Sequence, residues 1–359
     1  MEDHHGKLFV FVGSYAESED SGMYVYSFDE NTGELTRLQD VTGLKNPTFL
    51  NIDPNQHKLY AISEKQSLEG TKIGEVVAYS IDPTTGNLKL IDRNNSVAAT
   101  TCHIQRDPSE KFLTVTSYHG GMIGLMAIEQ DGSVGELLDV QQHEGHSVHK
   151  NQDRPHPHSS FYSPDGKYVF VQDLGLDIIQ AYHIDPDKQQ LIKKGTTHLH
   201  PGAGPRHLVF HPHGTYAFVI NELNSTITSF AYDAKSGELT EQETVPTLPS
   251  DFTGENGCAE ITISQDGKYV YGSNRGHDSI VVYAFEEESG KLTYVEHVSV
   301  EGEHPRHFAI TPKGDYLIVA NRDTNNLTTF RVNQESGRLE YTGISVTVSK
   351  PVCVQPYYL

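Results

Sequence analysis

One short pattern recurs six times along the chain, and it constrains the fold more than any other feature of the sequence. Each copy has a run of alternating apolar residues, a tight turn of the Pro-x-Gly type or similar, and a second alternating run that ends in small or polar residues. SSFYSPDGKYVFVQDL and HFAITPKGDYLIVANR are examples. Such a copy predicts two antiparallel β-strands. The turns are anchored by Pro54, Pro108, Pro164, Pro212, Gln265 and Pro312.

The spacing of these anchors predicts how many repeats the chain holds. Successive anchors are separated by 54, 56, 48, 53 and 47 positions, which is close to the spacing of four-stranded propeller blades. At this period the chain holds about seven blades. Further strand-like runs such as TITSFAYD, with 31 glycines and 17 prolines along the chain, agree with an all-β protein. The sequence therefore predicts an all-β, seven-bladed β-propeller that occupies residues 1–359 as one domain.

The seventh copy of the pattern is divided between the two ends of the chain. PVCVQPYYL at 351–359 resembles the inner strand of a blade with nothing after it, and KLFVFVGSY at 7–15 resembles a second strand with nothing before it. We expect these segments to pair, so that the C-terminal strand closes the ring against the N-terminal strands. Closure removes the exposed strand edges that promote aggregation.

Charge and hydropathy exclude several kinds of partner. A formal net charge of -21 repels phosphate backbones and anionic bilayers, so we expect no nucleic acid partner. No apolar run approaches the length of a membrane span, and the N-terminus lacks the features of a secretory signal. These observations predict a soluble, cytoplasmic protein with no membrane partner. The three cysteines lack CxxC spacing, so neither a zinc site nor a disulfide framework is expected.

The ends of the inner strands bring charged residues to one face of the predicted ring. The first strand of a blade begins on the face where the second strand ends, because the two are antiparallel neighbours. Glu222 ends a second strand, and His158 and His207 lie at the starts of first strands, where they could transfer protons near it. In so acidic a chain, arginines at this face would bind a small anion. The arginines at such positions are Arg206, Arg275, Arg306 and Arg322.

Structural explanations compete with functional ones at some of these positions. His103, His207 and His307 occupy one repeated column, which is as typical of a structural feature as of a ligand-binding one. Arg306 in HPRH repeats Arg206 in GPRH, so one of these two arginines could have the purely structural role of bracing its neighbour.

Other ionisable residues are expected to be exposed. Glu64 and Arg322 could form a solvated ion pair at the rim, which would contribute little to stability. The histidines expected in solvated loops or in the tail include His4, His5, His143, His146 and His149.

The segment GAGPRHLVFHPHGTYAFVINELNSTITSFAYD at 202–233 resembles the bacterial propeller-type 6-phosphogluconolactonases, a family whose fungal relatives include carboxymuconate cyclases. The resemblance continues through PHPHSSFYSPDGKYVFVQDLG and GSNRGHDSIVVYAF to HPRHFAITPKGDYLIVANR, and so covers nearly the whole chain. It implies hydrolysis of 6-phospho-D-glucono-1,5-lactone to 6-phosphogluconate in the oxidative pentose phosphate pathway. A phosphorylated sugar lactone is then the partner, and neither a cofactor nor a metal is implied.

The same resemblance implies the site residues. It places the histidine of the family at His158 in PHPHSS, its arginines at Arg206 in GPRH and Arg275 in SNRG, and its carboxylate at Glu222 in NELN. Glu222 would be the general base, His158 the proton donor or an orienting group, and Arg206 a contact to the carbonyl or oxyanion. Arg275 would clamp the phosphate together with Arg306 or Arg322. Arg306, Arg322, His103 and His307 add to the pattern of the family, and they are expected only as substrate contacts, as are Asn221 and His207.

Four other functions stay open at this point. The same arginines and carboxylate could hold a dicarboxylate and move a proton at carbon, as in a muconate cyclase, or act on another sugar lactone. A metal-dependent lactonase would need a dense set of Asp, Asn and Glu ligands at the rim, which the sequence does not provide. A non-catalytic interaction platform would be expected to carry exposed aromatic anchors instead of ionisable residues.

Overall fold

In a computed structural model of the protein, residues 6–359 are described, and they form seven four-stranded antiparallel sheets. Within each sheet the strands follow chain order from the axis outwards, except in blade 1, where the last strand of the chain takes the inner place. The seven-bladed propeller predicted from the repeat is therefore confirmed. His4 and His5 lie outside the described residues. No helix in the described part of the chain is long and apolar enough to cross a membrane.

The first four blades contain the following strands, in order from the axis outwards. Blade 1 contains β28 (Pro351–Tyr358), β1 (Leu8–Ser14), β2 (Met23–Phe28) and β3 (Leu35–Val41). Blade 2 contains β4 (Leu50–Asp53), β5 (Lys58–Gln66), β6 (Lys72–Ile81) and β7 (Leu88–Asn95). Blade 3 contains β8 (His103–Arg106), β9 (Phe112–Ser117), β10 (Met122–Ile128) and β11 (Val134–Gln142). Blade 4 contains β12 (Pro157–Tyr162), β13 (Val169–Asp173), β14 (Ile178–Asp185) and β15 (Gln190–His198).

The last three blades follow the same order. Blade 5 contains β16 (Pro205–Phe210), β17 (Tyr216–Asn221), β18 (Thr226–Asp233) and β19 (Glu238–Pro246). Blade 6 contains β20 (Gly257–Ile263), β21 (Tyr269–Arg275), β22 (Ser279–Glu286) and β23 (Lys291–Ser299). Blade 7 contains β24 (Pro305–Ile310), β25 (Tyr316–Asn321), β26 (Asn326–Val332) and β27 (Leu339–Thr347).

The two ends of the chain close the ring in blade 1. β28 pairs antiparallel with β1, from Leu8 opposite Tyr358 to Gly13 opposite Cys353, as predicted. The inner strands also contact one another in order around the axis: β4 with β8, then β12, β16, β20, β24 and β28, which returns to β4. The ring of inner strands is thus continuous.

Apolar side chains between neighbouring blades form the core. The second strands β9 and β25 are buried along their whole length, whereas the outer strand β3 is buried mainly at its ends. Phe170 of blade 4 packs in one cluster with Leu208 and Phe230 of blade 5. Burial of each such side chain contributes about 1.5–3 kcal/mol, so each blade is stabilised mainly by its neighbours.

Glycines in the hairpins between third and fourth strands allow adjacent blades to approach closely. Gly33 has a φ of +83°, and a Cβ there would lie 2.8 Å from the ring of Tyr316 in blade 7. Gly86 has a φ of +74°, and a Cβ there would overlap the ring of Phe9 in blade 1. Both the turn and the packing of the next blade therefore require glycine.

Candidate active site

Inner strands of blades 4 to 7 carry an extra residue near the point where they begin. In blade 5, Pro205 lies opposite Asn221 and His207 opposite Ile220, so Arg206 between them has no partner in the ladder. The register shifts in the same way at His158 in blade 4 and at Arg306 in blade 7. In blade 6, the register shifts between Cys258 and Ile261, so two inner-strand residues share one position of the partner strand. Such β-bulges re-aim side chains, and here they place ionisable groups at the axis.

Five residues meet at this end of the axis, and we call the cluster of His158, Arg206, Glu222, Arg275 and Arg306 the mouth. Two arginines hold one oxygen of the carboxylate at its centre. Glu222 Oε2 lies 3.0 Å from Arg206 Nε and 2.9 Å from Arg275 Nη2. Glu222 Oε1 has no hydrogen-bond partner among residues 6–359, and the side chain is 22% exposed. One oxygen is thus fixed and the other is open to a ligand or to water.

The surroundings of Glu222 favour its charged form. Burial raises the pKa of this carboxyl, but Arg275, Arg206 and Arg306 together outweigh burial, and the net effect lowers the pKa below its usual value. Glu222 is therefore ionised at neutral pH. The low pKa also makes it a weaker base than an isolated carboxylate.

Protein carbonyls fix the two arginines that hold Glu222. Arg206 is buried and donates from Nη1 to the carbonyl of Ala259 over 2.5 Å. Arg275 donates to the carbonyls of Gly257 and Cys258 over 3.0 and 2.6 Å. Burial, followed by Arg275 and Arg306, lowers the pKa of Arg206 to about 9. These two cations are therefore preorganised and do not need to reorient when charge develops beside them.

Arg306 differs from the other two arginines of the mouth. Its guanidinium lies over the ring of Tyr15, 5.7 Å from the ring centre, and is partly exposed. Within the described part of the chain no carboxylate pairs with it. Arg306 is thus the mouth cation whose charge is left for an anionic ligand.

Arg322 and Glu64, expected to pair with each other, have other partners. Arg322 Nε lies 2.6 Å from Asp323 Oδ1, and its Nη2 lies 3.3 Å from His304 Nδ1. Glu64 Oε1 accepts a hydrogen bond of 3.1 Å from Asn46. The alternative that Glu64 pairs with Arg322 is therefore wrong, because each residue has a nearer partner. Within the described residues, Arg322 pairs with Asp323 and His304 and with no residue of the mouth.

His158 is the buried imidazole of the mouth. Burial, followed by the charge of Arg206, lowers its pKa well below the usual range, so the ring is neutral. Its Nδ1 is buried and has no hydrogen-bond partner among residues 6–359. The ring packs edge-on against Tyr118, 5.8 Å between centres, and Tyr118 in turn stacks on His156 at 4.1 Å. Tyr118 directly follows the end of β9 and had no expected role.

Below the mouth, one position further along the inner strands, a second cluster crosses the axis. We call this cluster, Phe49, His103, His207, Glu260 and His307, the axial plug. Glu260 Oε2 lies 3.0 Å from His207 Nδ1 and 3.2 Å from His307 Nε2. Phe49 packs against His103 at 4.2 Å and against His307 at 5.5 Å between ring centres. The column of repeated histidines is thus assembled around a buried carboxylate.

The plug changes the roles expected for three histidines. His103, His207 and His307 are at most 6% exposed, and all three rings contact Phe49. His103 also contacts His207, and Glu260 contacts the other two histidines. We therefore assign them to the layer beneath the substrate, not to direct substrate contacts. Glu260 had no expected role, because a single glutamate in a column of histidines gives no signal in the sequence.

The expected roles of two further residues change in the structure. Asn221 is 1% exposed, and its amide donates to Thr226 and Thr228 inside blade 5, so it braces the blade. His143, expected to be solvated, is buried, with Nδ1 2.6 Å from Asp173 and Nε2 2.8 Å from Tyr182. That expectation was wrong because an acceptor and a hydroxyl from blade 4 enclose the ring. His146 is exposed, as expected.

A cavity of about 790 Å³ opens at the other end of the axis. Glu260 and His307 of the plug line its inner end, and Pro54 and Pro312 of the inner turns line its rim. The plug therefore separates this cavity from the mouth. At the same face, His211, His213 and Glu287 place three metal-type ligand atoms within 4.8 Å of one another. His211 Nδ1 there already accepts the backbone N–H of His213.

Comparisons with known proteins agree with this architecture. Residues 9–356 match the family described as "Lactonase, 7-bladed beta-propeller". A 6-phosphogluconolactonase of Bacillus subtilis strain 168 is 34% identical over 306 residues, covering 85% of this chain and 86% of that protein. A 6-phosphogluconolactonase of Formosa agariphila is 35% identical over 311 residues, covering 84% and 86%.

Solved structures resemble the chain over nearly its whole length. The periplasmic gluconolactonase of Pseudomonas aeruginosa superposes with a TM-score of 0.91 at 31% identity and covers 98% of this chain and 99% of its own. A protein from Lactobacillus plantarum superposes with a TM-score of 0.90 at 32% identity, covering 98% and 99%. With its closed ring of seven blades and a family match from residue 9 to residue 356, the chain belongs to the seven-bladed β-propeller lactonases.

Proposed function

We propose that this protein hydrolyses an anionic sugar lactone at the mouth, and that the substrate is 6-phospho-D-glucono-1,5-lactone. The observation that carries the proposal is the carboxylate of Glu222, held by two arginines through Oε2 and open at Oε1. A base with a free oxygen and fixed cations beside it is what water attack on an ester carbonyl needs. The relatives named 6-phosphogluconolactonase support the choice of substrate.

The proposed reaction begins with a water at Glu222 Oε1. Glu222 takes a proton as the water oxygen bonds to the lactone carbonyl carbon, and the negative charge moves to the carbonyl oxygen. Arg206, already fixed by Ala259, is placed to stabilise that oxyanion, so it does not need to reorient. When the ring C–O bond breaks, the proton passes from Glu222 to the leaving ring oxygen. The products are an open-chain hydroxy acid and, after its ionisation, one proton.

The phosphate needs a cation that the protein has not already neutralised. The guanidinium of Arg275 already makes three polar contacts, with Glu222 and with the carbonyls of Gly257 and Cys258. Arg306 has no carboxylate partner within the described residues and is partly exposed. We therefore place the phosphate at Arg306 and leave Arg275 as a support for Glu222. Charge-assisted hydrogen bonds of this kind orient a phosphate as well as bind it.

We also propose that the reaction takes place in the cytoplasm, as a step of the pentose phosphate pathway. The substrate is a phosphorylated metabolite, and all three cysteines are free thiols, which suits a reducing compartment. Since one similar structure is a periplasmic gluconolactonase, cell fractionation is the direct test of location.

The experiment that tests the function uses purified protein and freshly made 6-phosphogluconolactone, with product detected by coupling to 6-phosphogluconate dehydrogenase. The expected result is turnover well above spontaneous hydrolysis, unchanged by a chelator. Turnover that disappears with the chelator would favour a metal-dependent lactonase. Turnover equal to the spontaneous rate would refute the proposed function.

A further inference from the structure

The axial plug contains a carboxylate that the proposed reaction does not use. Glu260 is 6% exposed and is surrounded by donors. His207 Nδ1 lies 3.0 Å from its Oε2 and His307 Nε2 lies 3.2 Å from the same oxygen, while the N–H of Ile261 donates to its Oε1 over 3.0 Å. Burying a carboxylate is costly unless its partners are well placed, so this arrangement calls for a role.

The contacts of Glu260 determine which ring nitrogens carry hydrogen. Burial raises the pKa of Glu260, while His307 and Arg206 act in the opposite direction. In its ionised form the carboxylate can only accept, so His207 then carries its hydrogen on Nδ1. His307 Nδ1 accepts the N–H of Val354 at 3.4 Å, which leaves the hydrogen of that ring on Nε2, where it faces Glu260. Burial lowers the pKa of His207 well below its usual range and the pKa of His307 to about 4, so both rings are neutral at pH 7.

One consequence concerns the other nitrogen of His207. When His207 carries its hydrogen on Nδ1, its Nε2 has a free lone pair and can accept a hydrogen bond. This nitrogen is buried and has no hydrogen-bond partner among residues 6–359. His158 Nδ1, just above, is also buried and unpartnered, and the two rings lie 5.2 Å apart between centres. A buried lone pair needs a donor, and His158 supplies one if its hydrogen is on Nδ1.

His103 completes the surroundings of this lone pair. Its Nδ1 accepts the N–H of Ser160 at 3.4 Å, so its hydrogen is on Nε2, which is buried and unpartnered as well. Its ring lies 5.5 Å from that of His207. One buried water can accept from His103 and donate to His207, and its third hydrogen bond joins His158 Nδ1, as acceptor or donor according to the tautomer of His158.

We propose that Glu260, His207 and His158, with a buried water between the two rings, form a hydrogen-bonded chain that holds the hydrogen of His158 on Nδ1 and leaves its Nε2 as a proton acceptor at the mouth. This inference rests on the proposed function and replaces the donor role expected for His158. Glu260 is a positioning residue, since it acts through His207. Carboxylates behind working imidazoles fix the ring tautomer in this way in other enzymes.

With Nε2 as an acceptor, His158 can take part in one proton transfer of the reaction. Glu222 carries a proton from the attacking water to the leaving ring oxygen, so the O–H left on the new carboxylic acid still has to lose its proton. That O–H bond breaks, its electron pair stays on the product carboxylate, and the proton passes through His158 Nε2 without remaining there, because burial and Arg206 lower the pKa of the ring. Solvent then takes the proton from His158, and the enzyme returns to its starting state. The overall reaction converts lactone and water into carboxylate and one proton.

The first test reads the tautomers directly and needs no turnover. Protein labelled with ¹⁵N-histidine is examined at pH 7 by long-range ¹H–¹⁵N correlation NMR, with His158 and His207 assigned by substitution. We expect hydrogen on Nδ1 of both rings. In Glu260→Gln the side chain has only one acceptor oxygen, so it cannot accept hydrogen bonds from both histidines and from Ile261. His207 and His158 should then no longer both carry their hydrogen on Nδ1. His307→Gln removes the other partner of Glu260 and should preserve it. Hydrogen on Nε2 of His158 in the wild type would overturn the proposal, even if the variant fails to fold.

The second test measures turnover. Glu260→Gln should lower kcat about 10- to 100-fold with little change in KM, by analogy with the carboxylates that orient metal-bound imidazoles. The control is Glu75→Gln, which alters another buried carboxylate far from the axis, in blade 2, and should keep kcat. A wild-type kcat in Glu260→Gln would overturn the role of the chain. Wild-type protein that shows the expected tautomers but hydrolyses no lactone would instead refute the proposed function.

Discussion

The substitution Glu222→Gln separates a general base from a structural anion. Glutamine preserves the shape of the side chain but cannot accept a proton, so kcat should fall about 10²- to 10⁴-fold. KM should change little, because we place the phosphate on Arg306 and not on Glu222. Steady-state rates with fresh 6-phosphogluconolactone, corrected for spontaneous hydrolysis, measure both constants.

The structure also gives the size of the accompanying loss of stability. Glu222 Oε2 balances the charges of Arg206 and Arg275 at 3.0 and 2.9 Å. Breaking a fully buried ion pair costs about 3–5 kcal/mol. The side chain is 22% exposed and the amide oxygen still accepts a hydrogen bond, so we expect about 1–3 kcal/mol. The variant should melt a few degrees lower than the wild type and remain folded at 25 °C.

Glu75→Gln is the matched control for this effect. Glu75 is a buried carboxylate of blade 2 between two cations, with Lys65 at 3.5 Å and Arg93 at 3.4 Å. It should lose stability on a similar scale and keep its kcat. If Glu222→Gln retains a kcat near wild type, or if both variants lose activity in proportion to their stability, the general-base assignment is wrong.

Three further predictions address the anion site, the ring closure and the response to acid. Arg306→Met should raise KM for the phosphorylated lactone more than for gluconolactone, and equal effects on both substrates would remove Arg306 from the phosphate site. Deletion of residues 351–359 removes β28 and exposes the edge of β1, so light scattering and thermal melts should show aggregation or a much lower Tm; an unchanged melt would contradict the closure. Burial, opposed in part by Glu260, lowers the pKa of His307 to about 4. The pKa of histidine in the unfolded chain is near 6.5, so the neutral buried His307 makes its full contribution to stability above about that pH. As the pH falls to 5, the free energy of unfolding should drop by about 2 kcal/mol, because the unfolded chain takes up the proton first. Urea unfolding at pH 7 and pH 5 should show a smaller difference for His307→Gln than for the wild type.

The fold could be predicted because the repeat is periodic and the divided seventh copy is visible in the sequence. The alternation of apolar residues and the Pro-x-Gly turns report strands directly, and β28 pairs with β1 as the end segments indicated. The strand directions also predicted which face of the ring carries the charged residues.

The chemistry within that end could not be predicted to the same depth. The bulges at His158, Arg206 and Arg306 each depend on one extra residue in a strand, which periodicity cannot resolve. Glu260 meets His207 and His307 from two other blades, and pairing across blades leaves no local signal. Arg322 found its partner in the next residue, Asp323, which the spacing of the repeat could not show.

A crystal structure of the complex with 6-phosphogluconate would test the central claim most directly. We expect the phosphate to lie within ion-pair distance of Arg306, with the carboxylate of the product near Arg206 and above Glu222 Oε1. A ligand bound in the cavity at the opposite face, beside Glu260 and His307, would contradict the claim that the mouth is the active site.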